Sequence, residues 1–207
     1  VVYSINSTSA TLPTVNPASG KTLDNSNIVV AGNADYMYFK RTLRLVGGET
    51  NNLNVVLKHR FNQITTIVNS QQSGYNITLA NANFTPHNAN VTVNLSDGSF
   101  ARNGGASNSG VSFPTLNSQI ITSRPTLISA SAEQSTTFNF SSITVGTIQR
   151  TNLSTTAFNI RPGVRYNLNI NIVPNDRYVT HRGRPATIIN GTIWANHNLG
   201  AVGTSLD

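Results

Sequence analysis

Cysteine is absent from the 207-residue sequence. This absence excludes disulfide bonds, metal sites built on thiolates and catalysis by a cysteine nucleophile. No apolar run reaches the roughly 18 residues that a transmembrane helix needs, and no convincing apolar stripe of helical spacing extends over the length of a helix. Only 10% of the residues are charged, against roughly 25% in average soluble domains. The polarity of this chain therefore comes mainly from uncharged side chains.

Asparagine, serine and threonine supply that polarity. Their side chains compete for backbone hydrogen bonds, so they favour turns and the solvent faces of strands over helix interiors. Hydrophobic residues make up 38% of the sequence, which is enough for a buried core in a chain of this length. Apolar and polar residues alternate with a period of two in four segments, which are 53–60, 75–79, 91–95 and 164–172.

The clearest alternation lies in segment 164–172. Its apolar residues share one face and its arginine and asparagine residues share the other: Val164, Tyr166, Leu168, Ile170 and Ile172 against Arg165, Asn167, Asn169 and Asn171. Such a strand is typical of an antiparallel sheet with one face on a core and one in water. Turn residues separate the runs at 96–98, 103–105, 161–163 and 174–176. We therefore predict an all-β fold, an antiparallel β-sandwich of many short strands.

Three other segments are less regular. Residues 1–27 are rich in Ser, Thr, Asn and Pro and are expected to form a loosely structured polar lead-in. Segment 61–68 has a partly helical apolar spacing, but its β-branched residues favour a strand. The Gly, Ser and Asn residues of 103–110 predict a flexible loop.

The net charge of +7 reflects scarce carboxylates, because 14 lysines and arginines face only 7 acidic residues. A nucleic-acid binder typically carries a basic stripe with interleaved aromatic residues, and none is present, so we expect no nucleic-acid partner. The charge suits an anionic glycan or lipopolysaccharide surface equally well. Arg177, Arg182 and Arg184 mark a basic hairpin loop, which is either a solvated loop, a contact for an anionic ligand or a protease-sensitive site.

No constellation of residues indicates an enzyme. The segment Ser19-Gly-Lys-Thr22 lacks the first glycine of a phosphate-binding loop, and Gly105-Ala-Ser-Asn-Ser-Gly110 lacks the spacing of a nucleophile elbow. The four histidines have no metal-ligand spacing, and the seven acidic residues lie mostly beside turns. We therefore predict a protein without catalytic residues, metal or cofactor, in which His59 is a hydrogen-bonded, half-buried residue on the inward face of its strand.

Aromatic residues leave one alternative open. Tyr36, Tyr38 and Tyr178 are candidates for stacking on sugars, although aromatic residues of strands more often pack in a core or across a strand pair.

Two motifs together resemble the fimbrillin-like family, the Bacteroidetes type V pilus subunits. The segment Asp35-Tyr-Met-Tyr38, followed by Asn54-Val-Val-Leu-Lys-His-Arg-Phe-Asn-Gln-Ile64, is similar to that family's early strand pair. The segment Phe158-Asn-Ile-Arg-Pro-Gly-Val-Arg-Tyr-Asn-Leu-Asn-Ile170 resembles its late Pro-Gly strand. The likeness covers roughly residues 30–175.

This resemblance implies an immunoglobulin-like or transthyretin-like β-sandwich at the outer surface of a Gram-negative bacterium, peripheral to the outer membrane and exported as a precursor. It implies a structural or adhesive fimbrial subunit that pairs with other pilus subunits by β-strand addition and contacts a host glycan or protein. The sequence carries no signal peptide, which we interpret as a mature fragment. The corresponding division is a lead-in at 1–27, a fimbrillin-like domain at 28–190 and a connection at 191–207.

The end of the sequence departs from a shaft subunit. Gly191-Thr-Ile-Trp-Ala-Asn-His-Asn-Leu-Gly-Ala201 resembles the opening of a C-terminal module that is appended in some longer surface proteins, which favours a tip or accessory role. Two alternatives remain. A carbohydrate-binding module of a surface glycan-use protein requires a solvent-exposed aromatic platform, and a viral capsid or tail-fibre domain would form trimers.

Overall fold

A computed structural model of the chain describes residues 1–6, 16–17, 22–103, 107–129, 133–174, 176–189 and 192–196. The regular secondary structure of the described residues is almost all strand, and single 3-10 turns lie at Leu23–Asn25 and Gln71–Ser73. The strands are β1 (Val2–Asn6), β2 (Asn16–Pro17), β3 (Ser26–Ala31), β4 (Asp35–Phe39), β5 (Lys58–His59), β6 (Asn62–Asn69), β7 (Ile77–His87), β8 (Asn90–Asn94), β9 (Phe100–Asn103), β10 (Ser107–Val111), β11 (Ile120–Thr122), β12 (Thr126–Ile128), β13 (Gln134–Val145), β14 (Ile148–Ser154), β15 (Phe158–Ile160), β16 (Arg165–Asn171), β17 (Arg177–His181), β18 (Arg184–Ile189) and β19 (Thr192–Ala195). The predicted all-β fold is confirmed.

Two sheets enclose a first core. The sheet β1-β4-β5 packs against the sheet β2-β3-β8-β9. Strand β3 has the alternation that this packing requires, because Ile28 and Val30 are buried while Val29 between them is exposed. The buried residues of this core are Ile28, Val30, Ala34, Tyr36, Tyr38, Phe61, Val91, Val93 and Leu95.

Two further sheets enclose a second and larger core. In one sheet β11 and β12 pair with one edge of β6, and β16 pairs with β6 as well. The facing sheet has the order β10-β7-β13-β14, and β15 also pairs with β13. The buried residues of this core are Ile64, Val68, Ile77, Ala80, Ala82, Phe84, Val111, Ile121, Ile128, Phe138, Phe140, Ile143 and Ile160. The chain passes between the two sandwiches after β5, after β7 and after β9.

A third, smaller unit follows the second sandwich. Strands β17, β18 and β19 form an antiparallel meander, and most of its side chains are exposed. Ala186 of β18 is an exception, since it is buried. Ile189 pairs with Thr192, so this sheet extends past residue 190, where the predicted fimbrillin-like domain ends.

The direction of β16 corrects one prediction. Its alternation between exposed and half-buried residues agrees with the predicted one-sided strand. However, β16 runs parallel to β6, from Arg165 opposite Gln63 to Asn171 opposite Asn69. The prediction of an antiparallel neighbour for this strand was wrong, because alternation reports which face is buried and carries no information on strand direction.

Three other segments differ from their predictions, while one agrees. Residues 2–6 of the supposedly loose lead-in form β1, because they pair with the whole of β4. The predicted strand 53–60 is reduced to the two residues of β5. Residues 107–110 of the predicted flexible loop belong to β10, whose backbone pairs with β7. The strand favoured for 61–68 is confirmed as β6.

Candidate functional site

Strands β14 and β16 form an incompletely covered part of the second sandwich. Strand β14 pairs with β13 from Val145 back to Asn139, yet all seven of its residues are exposed. The inward residues of β16 are only half-buried, whereas those of its neighbour β6 are fully buried. The second core is therefore closed along β6, β7 and β13 and open between β14 and β16.

A cavity of about 730 Å³ lies in this opening, and we call it the groove. Its volume falls within the range of roughly 300–1,000 Å³ that is usual for ligand sites. The charged residues of its lining are Arg150 and Asp176. Its apolar lining comes from both sheets, with Phe138, Phe140, Ile143 and Val145 of β13, Ile148 and Leu153 of β14, and Ile170 and Ile172 at the end of β16.

A tight hairpin sets one wall of the groove. Val145 pairs with Ile148, so only Gly146 and Thr147 connect β13 to β14. Gly146 has a φ of +59°, and a Cβ at this position would stand 3.0 Å from the ring of Tyr75. Glycine meets both demands, since it adopts positive φ freely and carries no side chain. The hairpin thereby fixes where β14 begins.

Both walls of the groove end in an unpaired strand edge. In the part of the chain that the structure describes, β16 pairs only with β6 and β14 pairs only with β13. The backbone N–H and C=O groups on their outer edges are therefore available to another strand. The groove combines such edges with exposed apolar side chains, which is the arrangement that β-strand addition uses.

A second cluster joins the motifs that carried the family resemblance. The side chains of Asp35 and His59 form a hydrogen bond with 2.7 Å between Oδ1 and Nδ1. A Cβ added at Gly163 would stand 2.5 Å from the carbonyl oxygen of His59, and Gly163 has a φ of +71°. The hydroxyl of Tyr166 accepts a 2.9 Å hydrogen bond from the N–H of Arg161 in the same turn. This cluster ties the first sandwich to the turn before β16.

His59 itself agrees only in part with its prediction. It is hydrogen-bonded as expected, to Asp35. Its side chain is 55% exposed and does not belong to the first core, so the prediction that it lies on the inward face was wrong. The adjacent residue Phe61 takes that core position instead.

The basic hairpin has the predicted form, and its arginines lie at two places. Arg182 and Gly183 connect β17 to β18, with φ angles of +51° and +76° that suit a two-residue hairpin turn. Arg182 and Arg184 are exposed at this turn. Arg177 begins β17 opposite Ile188, about 14 Å of strand away from the turn. The structure thus brings two of the three predicted residues together.

The tyrosines divide between core and surface. Tyr36 and Tyr38 are buried in the first core, which is the more common role of strand aromatics, so the alternative that they stack on sugars is excluded for them. Burial raises the pKa of both hydroxyls, and the Tyr38 hydroxyl donates a 2.8 Å hydrogen bond to the carbonyl oxygen of Leu95. Tyr178 in contrast is 77% exposed on β17.

Several other sequence features carry no site in the described residues. Within the described ranges, no group of three or more His, Cys, Asp or Glu residues lies close enough to hold a metal ion. No helix there is long and apolar enough to cross a membrane. Residues 19–21 of the phosphate-loop-like segment, residues 105–106 of the elbow-like segment, and residues 191 and 197–207 lie outside the described ranges.

The groove was missed in the sequence, although one signal pointed to it. The alternation of 164–172 indicated a strand with one apolar face, but nothing in it distinguished a covered face from an open one. The exposed Trp194 was missed as well, because its segment was interpreted through its resemblance to a module opening. No protein-family model and no curated protein matches the sequence.

We predict that Gly163→Ala destabilises the protein by about 1–3 kcal/mol, because alanine adds left-handed backbone strain and a clash with the His59 carbonyl oxygen. Gly183→Ala is the matched control, since Gly183 also has positive φ but has open space where a Cβ would be. Urea unfolding gives both free energies. A loss no larger for Gly163→Ala than for Gly183→Ala would contradict the close approach.

Proposed function

We propose that this protein is a structural or adhesive subunit of bacterial surface fimbriae, in a tip or accessory position, and that it assembles by β-strand addition. Its place of action is the outer cell surface, and its partners are other pilus subunits. The observation that carries the proposal is the groove, because an apolar opening lies between two unpaired strand edges. A strand inserted there gains backbone hydrogen bonds along an edge and places alternate side chains in the groove.

The energetic logic favours an added strand over a small ligand. Ile148 and Leu153 remain exposed on β14, and Ile170 is only half-buried. Covering apolar surface contributes about 25 cal/mol per Å². An amphipathic strand covers such side chains and satisfies the backbone of β16 at once, whereas a compact ligand leaves the strand edge unpaired.

The cluster of Asp35, His59 and Gly163 also supports the proposal. These residues come from the separate motifs that resemble the fimbrillin-like family, and they meet at one junction between two sandwiches. Residues from separate motifs that contact one another at one junction share a structural role. A scaffold common to a family requires such contacts. The hydrogen bond between Asp35 and His59 is best understood as a positioning contact and not as a catalytic pair.

We predict that Ile148→Lys prevents self-assembly, because it places a charge in the apolar groove. Ile120→Lys is the matched control, since Ile120 is an exposed isoleucine on β11 outside the groove lining. Sedimentation velocity and negative-stain electron microscopy would follow filament formation with increasing protein concentration. We expect at least a tenfold weaker association for Ile148→Lys, which corresponds to about 1.4 kcal/mol.

Two results would overturn this function. One is a wild-type chain that stays monomeric at every concentration. The other is an equal loss of assembly for both lysine variants, which would mean that general surface charge and not the groove decides association.

A second candidate function, carbohydrate binding, has one specific observation in its favour. Tyr178 and Trp194 are both exposed and flank Thr187 in the strand register, so the three side chains stand in one row on one face of the β17-β18-β19 sheet. The two aromatic positions are two strand spacings apart, about 9.6 Å. The Thr187 hydroxyl donates a 2.7 Å hydrogen bond to Oδ1 of Asn196 beside them. Flat rings next to polar groups suit the apolar faces and hydroxyls of sugar rings.

The positive charge of this sheet indicates which kind of sugar it would bind. Residues 177–196 contain three arginines and no acidic residue. Guanidinium groups pair with carboxylate and sulfate groups in a bidentate manner. An acidic polysaccharide is therefore the ligand that this surface suits best.

If this second function holds, a polyuronate oligosaccharide shifts the emission of Trp194, the single tryptophan of the chain. Tyr178→Ala should weaken the titration by about tenfold, since it removes one stacking surface. Tyr75→Ala, which removes an exposed tyrosine outside the sheet, is the control. An emission that no acidic or neutral glycan changes would exclude this candidate.

A further inference from the structure

The segment between β4 and β5 is an exposed projection, and we call residues 40–57 the arm. Residues 40–56 are all exposed, and no strand is assigned between Phe39 and Lys58. Its tip is nevertheless ordered by hydrogen bonds of Asn51. The Asn51 amide group donates to the carbonyl oxygens of Val46 and Glu49, and its Oδ1 accepts from the N–H of Val46. The arm therefore has a hydrogen-bonded turn at 46–51 between its two halves.

The two halves of the arm have one apolar and one polar face. Met37 pairs with His59 and Tyr38 with Lys58, so the odd-numbered residues of β4 and β5 share a face. When this register is continued into the arm, the odd positions hold mainly apolar residues and the even positions mainly polar ones: Leu43, Leu45, Leu53 and Val55 against Thr42, Arg44, Asn52 and Asn54. This is the pattern of a hairpin that buries one face.

Nothing in the described part of the chain covers the apolar face of the arm. Leu45 is 71% exposed, and the three other large apolar residues named above for this face, Leu43, Leu53 and Val55, are exposed as well. Single exposed apolar residues are normal, but a contiguous group of this size marks an interaction surface. The arm is not part of the groove lining of its own chain.

We propose that the arm of one copy occupies the groove of the next copy. The arm is an amphipathic segment that pairs with no sheet. The groove offers an unpaired strand edge and an apolar lining. One half of the arm would pair with the free edge of β16, and its odd-numbered side chains would enter the groove. The inference rests on the proposed function, because it names the partner that fills the same groove.

The arm and the groove match each other in size. The arm contributes 18 residues and the groove is lined by 17. Both numbers lie just below the roughly 20–30 residues that each side of a standard stable interface contributes, so this contact is a small one. Arm and groove are different surfaces, one on the first sandwich and one on the second, so the contact is head-to-tail. Contacts of this kind generate rings or open filaments, whereas a two-fold dimer needs the same surface on both partners.

The absence of cysteine allows a direct test. Leu45→Cys in the arm and Val173→Cys in the groove are both substitutions of exposed residues. When the two single variants are mixed and oxidised, we expect a disulfide-linked mixed dimer, because arm and groove of different copies meet within bonding distance. Asn54→Cys, on the polar face of the arm, is the control and should give at least tenfold less mixed dimer with Val173→Cys.

A second variant separates this inference from the proposed function. The double substitution Leu45→Asn and Leu53→Asn should abolish assembly without loss of thermal stability, because both residues are exposed. If assembly persists in this variant, stays sensitive to Ile148→Lys and gives no mixed disulfide, the groove accepts a different strand and the inference is wrong while the function stands. If the wild-type chain never assembles, both are wrong.

Discussion

Backbone hydrogen bonding at the edge of β16 is the constraint on which the structure depends. Each N–H and C=O group of a strand needs a partner, and a fold whose regular structure is almost all strand meets this need mainly by pairing strand edges. Strand β16 pairs with β6 over seven residues along one edge, and its other edge has no strand partner among the described residues. Ile170 and Asn171 at its end line the groove. The apolar face of β16 is half-covered at the same place. One added strand would satisfy the edge and complete the core together.

The junction between the sandwiches determines where β16 begins. Gly163 packs on the carbonyl oxygen of His59, and His59 is held by Asp35 on the neighbouring strand. The N–H of Gln63 also donates a 3.2 Å hydrogen bond to the carbonyl oxygen of Val164. These contacts fix the first residue of β16 against the first sandwich, which holds both the strand edge and the base of the arm in place.

Much of the fold was predictable from the sequence, whereas most of the site was not. Local alternation identified 164–172 as a one-sided strand, because side-chain period depends only on the strand itself. It could not give the parallel pairing with β6, which depends on chain paths far away. Residues 53–57 alternate as well but form no strand, since no neighbouring edge pairs with them. Conversely, 107–111 form β10 despite a loop-like composition, because β7 offers an edge. In the sequence Ile148 looks like an ordinary core residue, because only the structure shows that it is exposed and lines the groove.

Hydrogen–deuterium exchange along β16 tests the central claim most directly. In the monomer, the amides of 165–171 that point away from β6 should exchange rapidly, while those bonded to β6 are protected. In the assembled form, the outward amides should slow by at least tenfold, because a strand of the next copy pairs with them. Assemblies in which these amides exchange as fast as in the monomer would contradict strand addition at the groove.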